Sequence, residues 1–142
     1  MVGGKLTTYR RMAEDAVDAV VARSGLAARR CTTAALPLVG AADPAVLAAV
    51  DAPDRLVRRY GNEAPLVGED PGLLRPVAPG LPYTLAELAF GVTHEGALDV
   101  DDLLDRRTRI GLVPADRARA EPAAVSALSL TRAVPERPHT GV

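Results

Sequence analysis

Tryptophan is absent from this sequence, phenylalanine occurs once and tyrosine three times, so aromatics make up only 3% of the chain. Any core must be built from aliphatic side chains, and with strand-favouring residues scarce outside valine the expected element is the helix. The single cysteine, Cys31, excludes an intrachain disulfide, and it has no partners at metal-ligand spacing, so no metal site is expected. Cys31 stands before Thr32-Thr33 in an expected linker and reads as a buried or incidental thiol. Charge of neither sign prevails, since 17 basic residues face 18 acidic ones for a net −1. Binding to nucleic acid or to an anionic membrane needs clustered positive charge, so neither partner is expected. No apolar run approaches the roughly 20 residues that span a bilayer. Met1-Val2-Gly3-Gly4 is unlike a signal peptide, and the expectation is a soluble, cytoplasmic chain without a transmembrane segment. A Gly-x-Gly-x-x-Gly turn after a strand, an acidic residue placed for a ribose and a Walker-type loop are all missing, so a dinucleotide-binding fold cannot be assembled from these residues.

What is present is 48% hydrophobic content over 142 residues, enough for one modest core. The fold class expected is all-α: a small bundle of about five to six short helices with long loops. Leu6, Tyr9, Ala13, Ala16 and Val20, widened by Met12, Val17 and Val21, form the apolar stripe of a first helix. Thr7 or Thr8 is its expected N-cap and Gly25 its left-handed stop. Leu26 to Ala42 reads as a connector. Asp43-Pro44 opens a short helix to Val50, and Pro53 restarts the chain into a helix over Asp54 to Tyr60 that Gly61 closes. Arg55, Arg58 and Arg59 have Asp51, Asp54 and Glu63 nearby in sequence, which reads as a mixed-sign surface. Five prolines and three glycines between Pro65 and Pro82 give an ordered loop carrying a helical turn.

Thr84 and Glu87 make a capping box, with Tyr83 and Leu88 as its hydrophobic staple, for a helix from Leu85 to about Glu95 buried on Leu85, Leu88, Ala89 and Val92. His94 at its end suits the helix dipole better than catalysis. Asp99 caps a further helix that turns Val100, Leu103 and Leu104 inward, and its last turn carries Arg106, Arg107 and Arg109. A helix from Ala115 is expected to break at Pro122 and resume to Leu130, and residues 132–142 offer nothing to bury and read as a disordered tail.

The start of the chain carries the most specific signal. Gly3 and Gly4 lead directly into the first helix, and paired glycines before the unpaired amides of a helix N-terminus are an anion-binding arrangement. The run Gly3-Gly4-Lys5-Leu6-Thr7-Thr8-Tyr9-Arg10 resembles the segment where the flavin domain of FAD-dependent (aerobic) glycerol-3-phosphate dehydrogenases and alpha-glycerophosphate oxidases ends and their C-terminal helical domain begins. Arg58-Arg59-Tyr60-Gly61, the run from Ala86-Glu87-Leu88 to His94-Glu95-Gly96-Ala97-Leu98, and Asp101-Asp102-Leu103-Leu104 with Arg106-Arg107-Thr108-Arg109 fit the same family in the right order.

The resemblance implies a division into residues 1–25, the flavin-domain junction with its helix, 26–131, a C-terminal helical domain, and the tail. It implies an oxidoreductase that converts sn-glycerol 3-phosphate to dihydroxyacetone phosphate and passes electrons to a quinone, or to oxygen in the oxidases. FAD would contact Gly3, Gly4, Lys5, Leu6 and Thr7, the substrate phosphate would meet Lys5, and Arg106, Arg107 and Thr108 would face the flavin-binding domain. No catalytic residue is identifiable in this stretch, and by itself the chain is expected to bind no FAD and to be inactive as a fragment. The parent would be peripheral at the inner face of the plasma membrane. A different class of reading is a non-catalytic helical protein-interaction module with an accidental Gly-Gly start. A neighbouring reading frame that ends in a flavin domain separates the two.

Overall fold

A computed structural model describes residues 5–132, so Gly3, Gly4 and, of the tail read as disordered, residues 133–142 lie outside the described residues, while Arg132 ends the last helix. The chain falls into two compact units, Met1–Val39 and Gly40–Val142, and each is described by itself. Among the described residues the elements are helices and turns, with one isolated bridge between Pro76 and Thr84.

In the first unit a single 3₁₀ turn, Leu6–Thr8, leads into helix α1, Tyr9–Ser24, which stops at Gly25 in the left-handed region at φ 62°. The expected threonine cap is not made. The Thr8 hydroxyl donates back to the Lys5 carbonyl at 2.9 Å, and no side chain caps the helix start. The expected burial of the α1 stripe is also not found. No residue from 5 to 39 is buried, with Tyr9 58%, Val17 60% and Val20 58% exposed. Periodicity settles which side of a helix is apolar, but burial needs a second surface, and this unit holds only one helix and a connector.

The second unit opens with α2, Pro44–Ala48, and α3, Asp54–Tyr60, started by the prolines as expected. At the end of α3, Gly61 adopts φ 61° and ψ −131°, and a Cβ there would lie 1.7 Å from the Gly40 carbonyl oxygen. The two backbones touch, and the Asn62 amide donates to that oxygen at 3.0 Å. The proline-rich loop carries α4, Ala64–Val67, and a 3₁₀ turn, Pro71–Leu73, capped by the Asp70 carboxylate.

Helix α5, Leu85–Thr93, is the centre of this unit. Its capping box forms as expected, but burial extends beyond one stripe to Ala86, Glu87, Phe90 and Gly91, while Ala89 and Val92 are half-buried. The cause is that two apolar clusters meet on it. Leu56, Ala64, Val67 and the half-buried Tyr60 pack against Ala86 and Phe90, and Leu103, Leu104, Ile110, Ala120, Ala124 and Ala127 pack with Leu85 and Leu88. A helix apolar nearly all round is the buried one.

The segment Asp102–Arg107 forms a π-helix in place of the expected α-helix. The Thr108 amide and hydroxyl both converge on the Leu103 carbonyl, five residues back, at 3.0 and 2.7 Å, which is the spacing of a widened turn. Helix α6, Pro114–Arg132, runs through Pro122 without the expected break. Pro122 is exposed, whereas Ala120, Ala124 and Ala127 on either side of it are fully buried and hold both halves to one wall.

Candidate functional site

The site expected at the chain start is built by the approach to α1. Lys5 is extended (φ −71°, ψ 144°) and exposed, Leu6 and Thr7 follow in the 3₁₀ turn, and no side-chain oxygen occupies the helix N-terminus. The turn therefore leaves its first amides without a side-chain cap at the positive end of a 16-residue helix, with the exposed Lys5 ahead of them in the chain. Such a set can hold phosphate or a developing oxyanion.

Beside it, a groove of about 790 Å³ runs along α1 against the connector. Its walls include Ala13, Val17 and Val21 from the helix with Leu36 and Leu38 from the connector. Some of its polar groups are engaged with one another, while Asp18, Arg29 and Arg30 also line it. Arg10 bonds the Glu14 carboxylate at 3.0 Å and the Thr33 hydroxyl at 3.1 Å, and the Cys31 thiol lies 3.0 Å from the same hydroxyl. Cys31 is exposed, not buried.

In the second unit the arginine-rich element divides. Arg106 pairs with Asp102 at 2.5 Å and is exposed, as is Arg107. The Leu98 amide, and after it the Arg106 guanidinium, hold the Asp102 carboxyl below its usual range. Thr108 is buried, its hydroxyl engaged at the π-helix end, so of the three residues expected to face a second domain the two arginines are presented outward. Arg109 ends the element in the left-handed region at φ 60°.

One constellation was not legible in the sequence. Glu87, with its side chain wholly buried, accepts from Arg55 Nη1 at 2.6 Å and from the Thr84 amide at 2.8 Å on the same oxygen, Oε2. Its Oε1 has Arg59 Nε at 3.5 Å and no hydrogen bond. Arg59 also donates to the Arg107 carbonyl at 2.7 Å, and both guanidiniums lie over the Tyr83 ring. Burial works against the charge on Arg59, but Tyr60 and Glu87 outweigh it and its pKa is raised. Burial, then the Glu87 charge, pushes the Tyr60 phenol up to about 12. Read locally, Glu87 is a capping residue and the arginines belong to a mixed-sign surface. Their pairing spans 32 and 28 residues, and no local signal reports it.

Among the described residues no group of three or more His, Cys, Asp or Glu is placed to hold a metal, and no helix is long and apolar enough to cross a membrane. The described residues are all-α in two units, the first with an uncapped helix start behind an exposed lysine and the second with an arginine-bearing helix end. Residues 31–131 match the model of the C-terminal domain of alpha-glycerophosphate oxidase, and the chain belongs to that family. It is 50% identical over 135 residues to glycerol-3-phosphate dehydrogenase 1 of Mycobacterium tuberculosis strain H37Rv, a match that covers 91% of this chain and 26% of that protein. It is 37% identical over 128 residues to the glycerol-3-phosphate dehydrogenase of Mycobacterium leprae, covering 79% of this chain and 22% of the relative. The chain thus spans about a quarter of the length of the curated relatives it matches. No solved structure matches.

Proposed function

We propose that this chain is the C-terminal part of an FAD-dependent glycerol-3-phosphate dehydrogenase that oxidises sn-glycerol 3-phosphate to dihydroxyacetone phosphate with a quinone as acceptor, peripheral to the inner face of the plasma membrane. Family membership and the names of the relatives support the activity. In this reading residues 1–25 close the flavin domain, 26–131 form the helical domain appended to it, and 132–142 are a tail. The observation that carries the site is the uncapped start of α1, with Lys5 extended and exposed in front of it. Uncapped amides with a lysine ahead of them fit both the electron-rich pyrimidine edge of a flavin and a phosphate monoester, because each is an acceptor. When bound, the flavin supplies the hydride acceptor for C2 of the substrate. The chain's own part is electrostatic. The amides of Gly3, Gly4 and Lys5 to Thr7 stabilise negative charge as it develops, and the Lys5 ammonium orients the phosphate. Arg106, Arg107 and Thr108 lie toward the flavin-binding domain in this reading, and with Arg106 engaged by Asp102 it is Arg107 that pairs with a carboxylate there.

The test is a chimera in which this chain replaces the matching quarter of the M. tuberculosis relative. A charge-assisted hydrogen bond contributes roughly 1.5–3 kcal/mol. At about 1.36 kcal/mol per decade, Lys5→Ala then lowers kcat/KM about ten- to a hundredfold. Flavin content is expected to survive, since the amides do not depend on that side chain, and Lys5→Arg to recover only part, because a planar fork does not replace a compact ammonium. Unchanged kcat/KM in Lys5→Ala removes Lys5 from the site.

A further inference from the structure

We propose that the apolar side of α1, with the groove it forms against the connector, is one half of an interface whose other half is the preceding body of the longer protein. This rests on the reading that the chain is the C-terminal part of a larger enzyme, and it names the surface by which that part is seated. Three observations carry it. The first is that residues 5–39 contain no buried residue although they include a 16-residue amphipathic helix. Isolated helices of that length are marginal in water, and most helical stability comes from packing the apolar face. The second is that the family model starts at residue 31, so α1 lies ahead of the matched domain, while the match to the M. tuberculosis relative leaves about three quarters of that protein outside it. The third is the chemistry of the groove. Aliphatic side chains of α1 and the connector, Ala13, Val17, Val21, Leu36 and Leu38, face one another across it, and the arginine of α1 among them, Arg10, is already paired with Glu14 and Thr33, so the helix side of the groove offers an apolar segment a ready surface.

A second copy of the chain fits less well. The helix face is roughly 24 Å long and about 10 Å across, a few hundred Å². That is well below the ~800 Å² per partner of a stable complex between separate chains. A covalently joined body needs far less area, because attachment holds it at high effective concentration.

The experiment measures thiol labelling by a maleimide in a Cys31→Ser background, counting by mass spectrometry only the peptide that carries the introduced cysteine. Val17→Cys reports the groove wall, and Asp15→Cys reports the charged side, where Asp15 pairs with Arg11. Val20→Cys serves as a second probe of the apolar side should Val17→Cys lose its helical circular dichroism. In the free chain the two sides are expected to label at similar rates. In the chimera with the M. tuberculosis relative the apolar side is expected to slow at least about tenfold, and the charged side to keep its rate. Equal labelling of both sides in the chimera overturns the proposal. Concentration-dependent protection in the free chain overturns it in favour of a second copy. Protection in the free chain at every concentration overturns it by assigning the face to residues 40–142. Protection in a chimera without turnover supports the interface while defeating the enzymatic reading, and turnover with equal labelling does the reverse.

Discussion

Glu87 joins three elements at one buried carboxylate. Its carboxylate caps α5 through Thr84, meets Arg55 and Arg59 from α3, and through Arg59 is tied to the carbonyl that ends the π-helix. Removing one partner of a buried ion pair costs more than the pair contributes, because the remaining charges lose their compensation. Glu87→Ala is expected to lower unfolding free energy by about 3–5 kcal/mol, read as a shift of the urea midpoint at unchanged slope. The exposed neighbour Arg58 is the control, with Arg58→Ala inside about 0.5 kcal/mol. A loss below about 1 kcal/mol for Glu87→Ala would show that the network is dispensable. The same cluster sets an alkaline limit. Tyr60 titrates at about 12 in the fold against 10.0 in the unfolded chain, held up by burial and then by the Glu87 charge. A raised folded-state pKa contributes stability that is complete below the unfolded value and is lost as pH rises through the folded one, so the loss falls between pH 10 and about 12. Urea midpoints are expected to decline across that window in the native chain and to decline less steeply in Tyr60→Phe.

At the scale of elements, two glycines that end helices at nearly the same φ make unequal demands. Gly25 closes α1 at φ 62° with nothing within 4 Å of where a Cβ would stand, whereas Gly61 closes α3 at φ 61° with the Gly40 carbonyl at 1.7 Å. Gly25→Ala pays only the left-handed penalty, about 1–2 kcal/mol, and pays it within a helix that buries no residue. Gly61→Ala combines backbone strain of about 1–3 kcal/mol with displacement of the 40–62 contact. Urea midpoints are expected to move little for the first and by at least about 2 kcal/mol for the second, and equal shifts would show that the contact yields. Both stops were legible in the sequence, as were the capping box of α5 and the Asp99 cap, which donates nothing but accepts from the Asp102 amide at 2.8 Å. Each is a short-range device spelled by residue type and spacing. The π-helix was not legible, because it depends on where the Thr108 hydroxyl settles. The uninterrupted α6 was not either, since a proline's local cost is visible in a sequence but the burial of Ala120, Ala124 and Ala127 that offsets it is not.

For the whole molecule the division is between a part with a core and a part without one. Lys5 and the Gly-Gly start could be proposed as a site because paired glycines running into a helix start are a contiguous string, whereas a cover for the α1 stripe is a second surface that no period in this chain encodes. Every buried residue among those described lies between Leu56 and Ala127, around α5 and α6. Stability follows buried apolar area at about 25 cal/mol per Å², so residues 1–39 add little of it in the free chain. A truncated chain that begins at Gly40 keeps the Gly40 carbonyl for Asn62 and all of both apolar clusters. Its urea midpoint is expected to match that of the full chain within about 1 kcal/mol. In native-state hydrogen exchange of the full chain, amides of α1 should exchange through openings near 0 kcal/mol, while those of α5 and α6 wait for global unfolding. A truncated chain that loses cooperative unfolding, or α1 amides protected as strongly as those of α5, would mean that the first unit is covered within the free chain, and the proposed interface would fall with it.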